Sequence, residues 1–153
     1  MSQFEILVLH VLKAVVPEIA AGTVLVRAIA GEPGLGTKVA VSSTEPGIDP
    51  VGSCVGPKGV RHRSLLAELG GGHLDIVHWD AEPEKFIAAA LGLARVASVG
   101  IDSDTRTAHV RVPRKQLSLV IGRDGQNARL AAKLTGWRVD IKPLENGVAQ
   151  DQA

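Results

Sequence analysis

Two short stretches hold the most pointed chemistry of this chain: Val55-Gly56-Pro57-Lys58-Gly59 and Ile121-Gly122-Arg123-Asp124-Gly125, each an apolar residue followed by Gly-x-x-Gly. Glycines at this spacing permit a turn through backbone conformations that other residues disfavour. With no side chains in the way, a ligand's own backbone can come within hydrogen-bonding distance of the peptide. Each pair is followed by a helical pattern, over residues 61–69 and 126–134. The first N–H groups and the dipole of such a helix favour an anion at the same place. Glycine turn and helix start together make a phosphate cradle. Lys58, with Arg61 and Arg63 just beyond, adds positive charge to the first, and Arg123 and Arg129 add it to the second. A lone Gly-x-x-Gly is a weak signal, since most are ordinary turns; two in matched surroundings carry far more weight.

Those surroundings repeat. Before the first pair, residues 24–29 and 38–41 read as strands joined by the Gly- and Pro-rich link 31–36, and after the helix the glycines 70–72 lead into a strand over 73–79. Before the second, residues 95–101 and 107–112 alternate apolar and polar about the turn Asp102-Ser103-Asp104, as a half-buried hairpin requires. Residues 116–121 lead into the glycines, Thr135-Gly136 stop the next helix and residues 137–141 close as a strand. A leading helix precedes each copy, over 4–16 and 84–91, the latter with Asp80, Glu82 and Glu84 near its N-terminus. The fold class is therefore α/β (α+β), a tandem duplication of a helix-strand-strand-helix-helix-strand unit. The first domain is expected over 1–79, the second over 80–143 and a disordered tail over 144–153.

Composition limits the alternatives. The chain has 153 residues, 45% of them hydrophobic and 22% charged, with a formal net charge of +1. The most apolar run, residues 6–16, is broken by His10 and Lys13 and falls short of the roughly 20 residues a membrane helix needs. Its acidic flank is unlike a secretory leader, and the single cysteine, Cys54, fits a cytoplasmic location. The small net charge hides a basic segment: residues 106–142 hold nine Lys or Arg against Asp124 and Asp140. Clustered cations of this kind suit a partner rich in phosphates. Neither glycine loop ends in the Gly-Lys-Ser/Thr of a P-loop or follows the Gly-x-Gly-x-x-Gly of a dinucleotide site, so no enzymatic activity, catalytic residue or cofactor is expected. The histidines at 10, 62, 73, 78 and 109 lack metal-ligand spacing and are read as structural or surface residues. Cys54 is read as a small buried hydrophobe, Trp79 and Trp137 as core residues, and Asp75 and Asp140, at matched places in the two copies, as structural.

Strand-first units with Gly-x-x-Gly between two helices match the KH module in its prokaryotic (type II) form. Residues 16–143 further resemble the paired KH domains of the NusA family of bacterial transcription elongation, termination and antitermination factors. Val16-Pro17-Glu18-Ile19, the run 49–59 (DPVGSCVGPKG), Leu74-Asp75-Ile76-Val77 and, above all, Gln116-Leu117-Ser118-Leu119-Val120-Ile121-Gly122 continuing through 125–142 (GQNARLAAKLTGWRVDIK) carry the resemblance. It implies single-stranded RNA, the nascent transcript, as ligand, and contact with the RNA polymerase elongation complex, directly or through other factors. Regulation of pausing, termination or antitermination would follow. RNA contacts are expected at Gly56, Pro57, Lys58, Gly59 and Arg61, and at Gly122, Arg123, Gly125, Gln126, Asn127, Arg129 and Lys133. Relatives also carry a polymerase-binding helical domain and an OB-type RNA-binding domain ahead of the pair. Neither fits into the residues before Val16, so a fragment or a shortened relative is expected. His62 stands where the family pattern places an aliphatic residue, and Asp124 puts a negative charge beside the expected phosphate path. The alternative function is a KH pair with weak or lost RNA binding that serves as an adaptor for polymerase or ribosome proteins.

Overall fold

The computed structural model describes residues 1–93 and 98–144. The chain divides into two compact units, Met1–Trp79 and the residues from Asp80 onward. The first unit runs α1 (Gln3–Val15), α2 (Pro17–Ala21), β1 (Val24–Glu32), β2 (Gly36–Ser43), α3 (Pro50–Val55), α4 (Val60–Glu68) and β3 (His73–His78). The second runs α5 (Pro83–Leu91), β4 (Ser98–Asp102), β5 (Thr107–Val112), α6 (Leu117–Ile121), α7 (Gln126–Thr135) and β6 (Arg138–Pro143). In each sheet the first strand pairs antiparallel with the second and the third pairs parallel with the second, giving the orders β1-β2-β3 and β4-β5-β6. The duplication read from sequence is thus a duplication of topology.

Local sequence explains where the elements start and stop. Ser2 caps α1 with a reciprocal pair: its Oγ accepts the Glu5 N–H at 3.1 Å and the Glu5 carboxylate accepts the Ser2 N–H at 3.2 Å. Val8, Val11 and Leu12 form the buried stripe of that helix and join Val16, Ile19, Val39, Val41, Cys54, Leu65 and Leu74 in the first core. In the second unit Phe86, Ile87, Ala90 and Leu91 of α5 and Leu130, Ala131 and Leu134 of α7 are the buried faces, with Ala108, Val110 and Val112 alternating inward along β5.

Three details depart from the sequence expectation. The first unit has an extra short helix, α2, which Pro17 starts and a left-handed Gly22 ends. The link expected over 31–36 shrinks to Pro33-Gly34-Leu35, because Gly31 and Gly36 pair within the hairpin, and the Phe4 ring lies where a Gly31 side chain would go. The Leu144 N–H, expected in the tail, donates to the Val112 carbonyl at 2.9 Å. Of the strand expected over 95–101, residues 95–97 lie outside the described residues, as do residues 145–153 of the tail.

Asp75 and Asp140 do occupy matched places, facing Lys38 and His109 across parallel strands. Lys38 is 2% exposed and its Nζ lies 2.7 Å from the Asp75 carboxylate, while Asp140 sits 3.4 Å from His109 Nδ1 and 3.6 Å from Lys142 Nζ. Each carboxylate tethers neighbouring strands, the structural role expected of it.

Candidate functional site

The two Gly-x-x-Gly loops are copies of one backbone. Gly56 has φ 75° and ψ 169°, Lys58 has 54° and 25°, and Gly59 has 74° and 18°. Gly122, Asp124 and Gly125 take 84° and 168°, 55° and 26°, and 73° and 12°. The hydrogen bonds match as well. The Gly56 N–H donates to Gly52 O at 2.9 Å and the Gly59 N–H to Gly56 O at 3.0 Å; Gly122 N–H donates to Ser118 O at 2.9 Å and Gly125 N–H to Gly122 O at 3.1 Å. The first glycine of each loop lies in a region of φ and ψ that is essentially closed to residues with a Cβ. The second is left-handed and serves as N-cap of the following helix, so no capping side chain covers the first amides of α4 or α7.

Around this backbone the side chains divide into two groups. Pro57, Lys58, Arg123 and Asp124 are exposed, with the two matched left-handed positions carrying opposite charges, Lys58 and Asp124. Pro57 has no N–H to offer a ligand, whereas Arg123 at the matched place has one. Arg61 and Asn127, also matched, reach inward. Arg61 Nη1 donates to Glu18 Oε1 and to Ser53 O, both at 2.7 Å, and Asn127 Nδ2 donates to Val120 O at 2.7 Å and Leu91 O at 3.1 Å. Each ties the helix after the loop to the helix before it and to the leading helices, so the structure gives both an internal role. Gln126 is half-buried at the start of α7. Lys133 lies in its last turn, about 10 Å further along the axis at 1.5 Å per residue, and is not brought to the loop.

Several side chains take directions that the sequence did not reveal. Arg63 Nη1 donates to Lys58 O at 2.8 Å, matched by Arg129 Nη1 to Asp124 O at 3.0 Å. Glu18 holds Arg61. Leu119, 79% exposed on α6, and Val60, 47% exposed at the start of α4, present apolar surface on the elements flanking the loops. Periodicity assigns apolar residues to the core, so nothing in the sequence marked these two as outward. His62 donates its Nε2–H to Leu74 O at 2.7 Å, which accommodates a polar ring on a helix face. Two of the cations are engaged by rings: Arg27 stacks on Trp79 at 3.7 Å and Arg106 on Trp137 at 4.7 Å. Arg27 lies where the β1–β2 register shifts, between Val26 and Ala28.

Titration separates structural from reactive groups. Burial pushes the Cys54 thiol up to about 11, with the Glu18 charge adding to the effect, so it stays protonated and unreactive near neutral pH. Glu18 is held below its ordinary value of 4.5, first by its own backbone N–H at the start of α2, against burial, and then by the Arg61 guanidinium. A carboxylate lowered in the folded state stabilises it above the ordinary value and loses that contribution as pH falls through the folded value. Thermal stability should therefore decline as pH is taken below 4.5, and less steeply in Glu18→Gln. Identical pH slopes in melts of the two proteins would contradict the linkage. Among the described residues no group of three or more His, Cys, Asp or Glu could hold a metal ion, and no helix is long and apolar enough to cross a membrane.

Comparison with known proteins covers both units. The model of the NusA-like first KH domain matches residues 4–79 and that of the NusA-like second KH domain residues 83–148. The chain is 47% identical over 142 residues to the transcription termination/antitermination protein NusA of Halalkalibacterium halodurans, covering 90% of this chain and 37% of that protein. It is 50% identical over 127 residues to the Bacillus subtilis protein of the same name, covering 83% and 34%, and 48% identical over 136 residues to that of Thermus thermophilus, covering 89% and 35%. The chain thus spans little more than a third of these relatives. Among solved structures, that of APE1850 gives a TM-score of 0.63 at 20% identity over 93% of this chain and all of that one, a likeness of fold alone.

Proposed function

This chain belongs to the NusA-like KH family, and from that premise we propose that it binds single-stranded RNA through its two Gly-x-x-Gly loops as part of the transcription machinery. The observation that carries the reading is the bond-for-bond identity of the loops at 56–59 and 122–125, each ending on a helix start free of a capping side chain. Each such cradle accepts a stretch of sugar-phosphate backbone. Gly56, Lys58 and Gly59 form the contact surface of one loop and Gly122, Arg123 and Gly125 that of the other, the glycines letting the RNA backbone approach closely and Lys58 and Arg123 supplying charge. Exposed Leu119 and Val60 offer apolar area against which bases can lie. Arg61 and Asn127 support the loops from behind.

The ligand in the cell would be the transcript emerging from the elongation complex in the cytoplasm, with polymerase met directly or through other factors. Holding that strand would bias pausing, termination or antitermination. The reading is tested by salt-dependent binding to single-stranded RNA and by its loss when Lys58 and Arg123 are reversed in charge, the experiment set out at the end of the Discussion.

A further inference from the structure

Both copies place an arginine in the first turns of the helix that follows the loop, Arg63 on α4 and Arg129 on α7. A cation there opposes the helix dipole, so its recurrence calls for a compensating contact. One reading is that these arginines meet phosphate. The structure shows a different engagement. Arg63 Nη1 donates to the Lys58 carbonyl at 2.8 Å and Arg129 Nη1 to the Asp124 carbonyl at 3.0 Å. Lys58 and Asp124 are the left-handed non-glycine residues of the loops, at φ 54° and 55°. The peptide that follows each of them is also held at its other end, since the Gly59 N–H donates to Gly56 O and the Gly125 N–H to Gly122 O. A peptide plane bonded at both its carbonyl and its N–H cannot rotate without breaking one of the two bonds, and rotation is the motion that would return the residue to a right-handed conformation. The guanidinium lies close by the second glycine: a Cβ there would meet Arg63 Nη1 at 3.4 Å or Arg129 Nη1 at 3.9 Å.

We infer that Arg63 and Arg129 are positioning residues, which hold the loop peptides 58–59 and 124–125 in the conformation that receives RNA and are not themselves phosphate contacts. The inference rests on the reading of the loops as RNA cradles. It assigns the same task to two residues that the sequence pattern had counted as positive charge beside the loops, Arg129 also as an RNA contact.

The test uses the full chain with Arg63→Met and Arg129→Met, exposed substitutions that keep most of the apolar stem; thermal melts verify that the fold is retained. Amide hydrogen exchange of the free proteins comes first. In Arg129→Met, exchange at Gly125 should accelerate about fivefold, the equivalent of one modest hydrogen bond, with Gly59 unaffected, and the reverse in Arg63→Met. Unchanged exchange at the neighbouring loop glycine overturns the inference. Binding to single-stranded RNA then separates brace from contact: a brace lowers affinity at every salt concentration alike. A direct phosphate contact would instead reduce the slope of log affinity against log salt by about 0.7 for each arginine removed, and that result also overturns it. The exchange result stands whether or not RNA binds, so a failure of RNA recognition is told apart from a failure of the brace.

Discussion

Gly122→Ala is expected to destabilise the second unit by about 3 kcal/mol and to remove its loop from RNA binding. Two costs add. At φ 84° and ψ 168° the residue sits where only glycine is at ease, a strain of about 1–3 kcal/mol for any other residue. A Cβ there would also lie 2.8 Å from both the Cβ and the backbone N of Asn127, and overpacking of this kind costs about 1–3 kcal/mol. Neither neighbour can swing away, because Asn127 is pinned by its bonds to Val120 O and Leu91 O. Gly125→Asn, by contrast, meets only a left-handed φ of 73°, which asparagine tolerates, and should cost less than about 1 kcal/mol. Urea unfolding followed by RNA titration of the two variants checks the asymmetry. Equal behaviour of the two would show that the first glycine has no special steric duty.

The second large effect is a gain. Lys58 and Asp124 share φ and ψ to within a degree, yet one adds a positive charge to its cradle and the other a negative one. Asp124→Lys places in the second loop the residue the first already holds in that conformation, so the change tests charge with the backbone kept. Turning a repulsive charge into an attractive one beside a phosphate should raise affinity for single-stranded RNA about tenfold at low salt, on the scale of about 1 kcal/mol for two charges near contact in water. The gain should shrink as salt rises. Affinity that is unchanged at low salt would place the Asp124 side chain away from the phosphate path.

Much of this architecture was legible in the sequence because its signals are local. Glycines at 56, 59, 122 and 125 can only mark turns, Gly70 to Gly72 and Gly136 end helices, and the alternation along 107–112 states which face of a strand is buried. The repeat of these signals in one order gave the tandem KH units, and the dense match over 116–142 gave the family. Side-chain direction was not legible. Arg61 and Arg63 are two residues apart on one helix, yet one turns back to Glu18 and Ser53 O and the other to the loop carbonyl of Lys58. Which way each points depends on where folding places the acceptors, from the nearby Lys58 carbonyl to Glu18 forty-three residues away, and a count of positive charges near a loop is blind to that. The same limit applies to Arg106, counted in the basic segment but stacked on Trp137, as Arg27 is on Trp79. It applies also to Leu119, whose apolar character suggested burial while α6 turns it outward.

The most direct test of the account is fluorescence anisotropy of a labelled single-stranded RNA titrated with the chain and with a variant carrying Lys58→Asp and Arg123→Asp, at low and near-physiological salt. The variant is expected to fold, since Asp124 already adopts the Lys58 conformation and Arg123 is exposed. The account predicts saturable binding by the native chain that weakens as salt rises, and its loss in the variant. Binding of equal strength by both proteins would contradict the assignment of the loops as the RNA site, and no binding by either would contradict RNA recognition itself.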